Sequence, residues 1–167
     1  ALALRRQHPD WLLAGERDGR RILRAQTGSV DFDFGNSPRE FTTDRVRDRC
    51  LVMTTTNGTR ALRACAGAPL VLAAALLNLT ATARFLEQQA VSRLWLVCAG
   101  TGNAPSAEDA MAAGALLELL PETTWERGSD ACLLAAALAR RLSPDPARAL
   151  AETRNGRRLS QIPELQP

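Results

Sequence analysis

From residue 50 onward the chain alternates between short unbroken apolar runs and stretches whose apolar residues recur at helical spacing. "CLVMT" (50–54), "PLVLAAAL" (69–76) and "RLWLVCAG" (93–100) are bounded by turn residues and rich in large aliphatic side chains, which predicts strands. Each is followed by a helical pattern: "TRALRACA", "TATARFLEQQA" and "SAEDAMAAGALLELL". Apolar runs separated by helical periods suit parallel strands joined by crossover helices. The predicted fold class is therefore α/β, a layered α/β/α sandwich with a mainly parallel sheet in which the three runs are central.

Outside this core the pattern is less regular. "ALALRRQHPDWLLAG" opens amphipathic, "DWLLAGERDGRRI" predicts a short strand running into a Gly-rich turn, and "DFDFGNSPREF" a strand or loop ending in an Asn-Ser-Pro turn. Later, "GSDACLLAAALARRLS" predicts a helix and "SPDPARALAETRNGRRL" a short helix closed by a turn at Asn155-Gly156. The expected organisation is one domain over 1–160 with a tail at 161–167, the size of a single core.

The net charge of +3 comes entirely from arginine, because the chain has no lysine, and arginine pairs such as Arg20-Arg21 and Arg157-Arg158 fall in different elements. That distribution, with few aromatics, argues against nucleic acid. The cysteines Cys50, Cys65, Cys98 and Cys132 show no CxxC spacing, and His8 is the single histidine. A zinc site is not expected, and apolar surroundings predict buried reduced thiols in a cytoplasmic protein. No apolar run reaches the roughly 18 residues of a membrane span, so no membrane partner is expected; a homo-oligomer is compatible with the sequence.

Ligands of open parallel sheets bind beyond the carboxyl ends of the strands, where helix N-termini converge. Thr54, Thr55 and Thr56 end a predicted strand, Asn57 and Gly58 turn the chain, and Thr59 and Arg60 begin a helix. Hydroxyls, exposed N–H groups, the helix dipole and a guanidinium suit phosphate or sulfonate, although an Asn-capped helix would look the same. "CAGTGNAPSAEDAM" repeats the pattern: Gly100, Thr101 and Gly102 form a loop, and Ser106 with Asp109 matches a capping box. Glu108 and Asp109 either complement the helix dipole or hold a divalent cation. Glu16, on a Gly-flanked turn, is a second candidate carboxylate or an exposed turn acid. Asp31 and Asp33 form an Asp-x-Asp comparable only weakly with haloacid dehalogenase-type phosphatases, because no apolar strand precedes them.

Taken in order, "GERDG", "DFDFGNSPREF", "LVMTTTNGTRAL", "LLNLTATARFL", "LVCAGTGNAPSAEDAMAAGAL" and "TRNGRRL" resemble the 2-phosphosulfolactate phosphatase family over nearly the whole chain. The resemblance implies a layered α/β fold and magnesium-dependent hydrolysis of 2-phosphosulfolactate to sulfolactate and phosphate, a step towards coenzyme M. It implies a substrate site in Thr54 to Arg60, Asn36 and Ser37, and an acidic pair, Glu108-Asp109, after the Gly100-Thr101 loop; Asp109 and Glu108 are the candidate metal ligands and, with Glu16, the candidate catalytic groups. It also implies a preceding strand and helix, bearing an Asp and an Arg-Ala-Thr-like motif, that this sequence lacks.

The leading expectation is thus a Mg2+-dependent phosphatase of a small anionic phosphate monoester, with a metal-activated water as nucleophile. A non-catalytic anion- or nucleotide-binding module derived from such an enzyme is the alternative. A dinucleotide-dependent oxidoreductase is a third, testable by NADH titration of the fluorescence of Trp11, Trp95 and Trp125.

Overall fold

The computed structural model describes residues 1–143 and 145–162, so that most of the predicted tail, residues 163–167, lies outside the described residues. The fold is mixed α/β, and the chain divides into two compact units, one formed by Ala1–Arg60 and one by Ala61–Gln161.

The first unit is organised by a small mixed sheet. After helix α1 (Leu2–Gln7), strand β1 (Leu12–Arg17) turns through Asp18-Gly19 into β2 (Arg20–Arg21), pairing Glu16 with Arg21 and Arg17 with Arg20. Asp18 and Gly19 both adopt positive φ, 56° and 78°. That is the twist a two-residue hairpin turn needs, and Asp-Gly adopts it readily. Helices α2 (Arg24–Thr27) and α3 (Thr43–Val46) follow, and then β3 (Leu51–Thr54), which pairs in parallel with β1 from Leu12–Leu51 to Gly15–Thr54. "CLVMT" is therefore a parallel strand, as the sequence predicts. The order is β2-β1-β3.

Leu13, Ile22 and Phe32 form the apolar centre of this unit, with Leu2, Val30 and Val52 against it. The Asp-x-Asp pair works as local scaffolding. Asp31 accepts from the Arg24 N–H at 2.5 Å, and Asp33 accepts from the Leu13 N–H at 2.8 Å while facing Arg5 at 3.3 Å.

Helix α4 (Gly58–Ala64) leads into the second unit, built from α5 (Leu79–Glu87), α6 (Ala107–Leu119), α7 (Asp130–Ala139), α8 (Pro146–Ala151) and α9 (Arg154–Leu159). Leu79, Ala83 and Leu86 of α5 bury against Leu116 of α6 and the adjoining Leu120, while α6 packs along α7. The contact with α7 is close because residue 114 is glycine: a Cβ there would stand 2.0 Å from the Ala135 carbonyl oxygen.

Two predicted strands do not form. "PLVLAAAL" and "RLWLVCAG" have no strand pairing among the described residues. The second keeps the in–out alternation of a strand, since Leu94 and Leu96 pack on the α5–α6 cluster while Trp95 and Val97 face outward. An apolar run supplies side chains for a strand but not the neighbouring backbone that makes a ladder, and among the described residues these runs make no ladder. The predicted turn at Asn155-Gly156 is helical instead, lying in the first turn of α9. Thr153 caps that helix by accepting from the Gly156 N–H at 3.0 Å, which outweighs the turn preference of Asn-Gly. The cysteines are free thiols, but none is buried: Cys50 and Cys98 are exposed, Cys65 and Cys132 half-buried. No helix among the described residues is long and apolar enough to cross a membrane.

Candidate functional site

In the first unit the predicted residues gather where β1 and β3 end side by side. Glu16 is not an exposed turn acid; it is 6% exposed. One carboxylate oxygen accepts from the Thr56 N–H at 2.8 Å and the Thr56 hydroxyl at 2.9 Å, and the other accepts from the Gly19 N–H at 3.0 Å. Burial works to raise its pKa, but these donors, with Arg17 beside it, hold the group below the usual carboxylate range.

Glu16 therefore fixes the threonine turn from beneath, and the Thr56 donors point at it. Thr55 and Thr59 are locked to each other: the Thr55 N–H donates to the Thr59 hydroxyl and the Thr59 N–H to the Thr55 hydroxyl, both at 3.1 Å. Thr54, Asn57 and Gly58 are half-buried around this knot, and Arg60, third residue of α4, is exposed. Asn36 is exposed and Ser37 precedes the 3-10 turn at Pro38–Glu40 without capping it through its side chain.

A stability prediction follows from the Glu16 contacts. Glu16→Gln keeps the shape, but its NH2 must face an N–H donor, so the variant should lose about 1.5–3 kcal/mol, the range for a hydrogen bond to a charged group. Because the folded pKa is depressed, the advantage of Glu16 is fully present above the unfolded value of about 4.3. It is lost as pH falls through the folded value. Urea unfolding of both proteins across that window should show the gap closing on acidification; a gap independent of pH would mean that the charge is not the source.

The second unit brings together the other predicted residues. Gly100 has φ 71° and Gly102 φ 61°. Between them Thr101 exchanges both backbone hydrogen bonds with Ala104, at 2.9 and 3.2 Å, closing a tight loop. A side chain at residue 100 would be strained by that φ and would bring a Cβ to 2.8 Å from the Ala104 oxygen, so glycine is required there. Ser106 then precedes α6.

The capping box expected of Ser106 and Asp109 does not form. The Ser106 hydroxyl is buried without a hydrogen-bond partner, and Asp109 reaches back to the Gly100 N–H at 2.7 Å, tying the glycine loop to the helix. The Asp109 carboxylate serves the loop's N–H instead of closing the box on Ser106.

Glu108 lies beside Asp109 in the first turn of α6 but is held differently. The Asn155 side-chain amide donates to its carboxylate and also to the Thr101 hydroxyl at 2.5 Å. Partial burial raises the Glu108 pKa, yet Asn155, the helix's own N–H, and the nearby Ser106 and Thr153 hydroxyls leave it below the usual range. Both acids are thus tied down at the start of a 13-residue helix, Asp109 to the Gly100 N–H and Glu108 to Asn155. In contrast, partial desolvation of the sulfur and the Asp109 charge push the pKa of the largely exposed Cys98 thiol up, which disfavours the nucleophilic thiolate.

Asn155, with Arg154 donating to the Thr101 carbonyl at 3.5 Å, is the member of this cluster that reading residue types did not single out. The only signal was its place within "TRNGRRL". No cluster of three or more His, Cys, Asp or Glu side chains that could cage a metal occurs among the described residues. The donors that Glu108 and Asp109 offer are hard oxygens, and the bonds described use one oxygen of each. Hard oxygens are the donors that magnesium takes.

Compared with known proteins, this chain matches the 2-phosphosulpholactate phosphatase family model over residues 1–165. A protein of Synechococcus sp. (strain JA-3-3Ab) named "Probable 2-phosphosulfolactate phosphatase" is 43% identical over 152 residues, covering 90% of this chain and 60% of the relative. A protein of the same name from Synechococcus sp. (strain JA-2-3B'a(2-13)) is 41% identical over 148 residues, covering 89% and 58%. One from Deinococcus radiodurans is 40% identical over 163 residues, covering 97% and 65%. The chain spans less than two thirds of the length of these curated relatives.

Proposed function

The chain belongs to the 2-phosphosulfolactate phosphatase family, and on that premise we propose that it is a magnesium-dependent phosphatase of a small, strongly anionic phosphate monoester. The proposed reaction is hydrolysis of 2-phosphosulfolactate to sulfolactate and phosphate, a step of the kind that leads to coenzyme M, in the cytoplasm. The observation that carries this reading is the knot around the start of α6, where the glycine loop, Glu108 and Asp109 are bound into one cluster.

Each unit, taken by itself, holds groups that suit this chemistry. In the first unit the Thr54–Arg60 turn, its threonine donors taken up by Glu16 and by one another, offers the exposed Arg60 guanidinium to phosphate or sulfonate oxygens. In the second, Glu108 and Asp109 would hold Mg2+. When bound, the ion supplies charge neutralisation of the phosphoryl oxygens and a lowered pKa for a nucleophilic water. Asp109 keeps the glycine loop closed on the helix, and Asn155 keeps Glu108 directed.

The direct test is a phosphate-release screen of small phosphorylated acids with and without magnesium. Release from 2-phosphosulfolactate only when magnesium is present is expected; no release from any of them, or release indifferent to magnesium, would overturn the reading. Arg60→Ala should weaken binding of phosphate or sulfolactate by roughly 1.5–3 kcal/mol, tenfold or more in affinity. The melting temperature should stay unchanged, since the exposed side chain supports no core. Unchanged affinity would return the threonine turn to the role of a helix cap.

A further inference from the structure

We propose that Asn155 is a positioning residue of this site: its side-chain amide joins the Thr101 hydroxyl to the Glu108 carboxylate and sets the glycine loop against the first turn of α6. The inference rests on the reading of Glu108 as a working group of the phosphatase. A carboxylate can only accept, so the NH2 end of Asn155 must face it, and the same nitrogen lies 2.5 Å from the Thr101 hydroxyl. One side chain thus binds two residues that lie 47 and 54 positions away in sequence.

The backbone beneath Asn155 is built to hold it still. Thr153, 5% exposed, donates its hydroxyl to the Leu150 carbonyl at 2.8 Å and accepts the Gly156 N–H at 3.0 Å, joining the end of α8 to the start of α9. Gly156 brings α9 so near α8 that a Cβ would stand 1.9 Å from the Leu150 oxygen. Arg154 adds a contact to the Thr101 carbonyl. A short polar side chain on so constrained a corner loses little freedom when it binds, which is what a group that orients an active carboxylate needs. Without it Glu108 keeps its charge but can turn away to solvent, and the Thr101 hydroxyl loses its donor.

The test is a double-mutant cycle of Asn155→Ala and Glu108→Ala, read by urea unfolding and by magnesium-dependent phosphate release from 2-phosphosulfolactate, with kcat and KM separated. Asn155→Ala should fold, leave KM nearly unchanged and lower kcat by roughly 10–100-fold, as losses of partners behind a working ligand do. In the Glu108→Ala background it should lower kcat no further, and the unfolding midpoints should be non-additive. Additive midpoints, an equal kcat loss in both backgrounds, or a change confined to KM would each overturn the proposal. Full turnover in Glu108→Ala alone would instead refute the role given to Glu108, and would take the catalytic half of this inference with it; coupled midpoints would still separate that failure from a wrong contact.

Discussion

Replacing Gly114 by alanine should destabilise the second unit severely, although alanine is the better helix former by about 1 kcal/mol. The added Cβ would lie 2.0 Å from the Ala135 oxygen and 2.4 Å from its carbon, both backbone atoms of α7, so no rotamer change can relieve the clash. The helices must move apart, opening the packing between α6 and α7. Overpacking typically costs about 1–3 kcal/mol, and a clash with rigid backbone belongs at or beyond the upper end. A fall of roughly 6–12 °C in melting temperature is expected at that cost. Gly67→Ala, where nothing lies within 4 Å, is the control and should be nearly neutral. A Gly114→Ala protein that melts with the parent would mean that α6 and α7 do not make this contact in solution.

What the sequence made legible was local. The Asp18-Gly19 hairpin, the "CLVMT" strand and helices α5, α6 and α7 each follow from turn chemistry or periodicity within a dozen residues. The failures are of partnership. "RLWLVCAG" has the side-chain alternation of a strand, yet its ladder depends on a neighbour that no local pattern names. Ser106 and Asp109 have capping-box spacing, but the Gly100 N–H competes for the same carboxylate. Asn155-Gly156 is a strong turn signal, overridden by a threonine cap two residues earlier and by close contact with α8.

The candidate site divides in the same way. Glu108, Asp109, Gly100 and Thr101 stood out because acids and glycines at a helix start carry a recognisable chemistry. Glu16 was visible as a turn acid, but its burial and its grip on Thr56 come from the parallel pairing of β1 with β3, which places two distant strand ends together. Asn155 carries no mark of its own, since an asparagine becomes functional only through what it touches.

Asp109→Asn is the variant that most sharply separates chemistry from architecture. The asparagine oxygen can accept the Gly100 N–H as the carboxylate does, so the loop should stay closed and the protein folded. What disappears is a negative charge in the first turn of α6. If Asp109 holds magnesium, phosphate release should collapse by more than the roughly 10–100-fold typical of losing an outer partner, and raising magnesium should recover little of it. If it serves only the helix start, stability should fall within the roughly 0.5–2 kcal/mol span of cap losses, and turnover should remain. Phosphate release measured against magnesium concentration, beside a thermal melt, distinguishes the two. A retained magnesium response would remove Asp109 as a ligand. Glu16 would be a poor replacement, because both of its oxygens already accept hydrogen bonds from Thr56 and Gly19 and a metal would have to displace them.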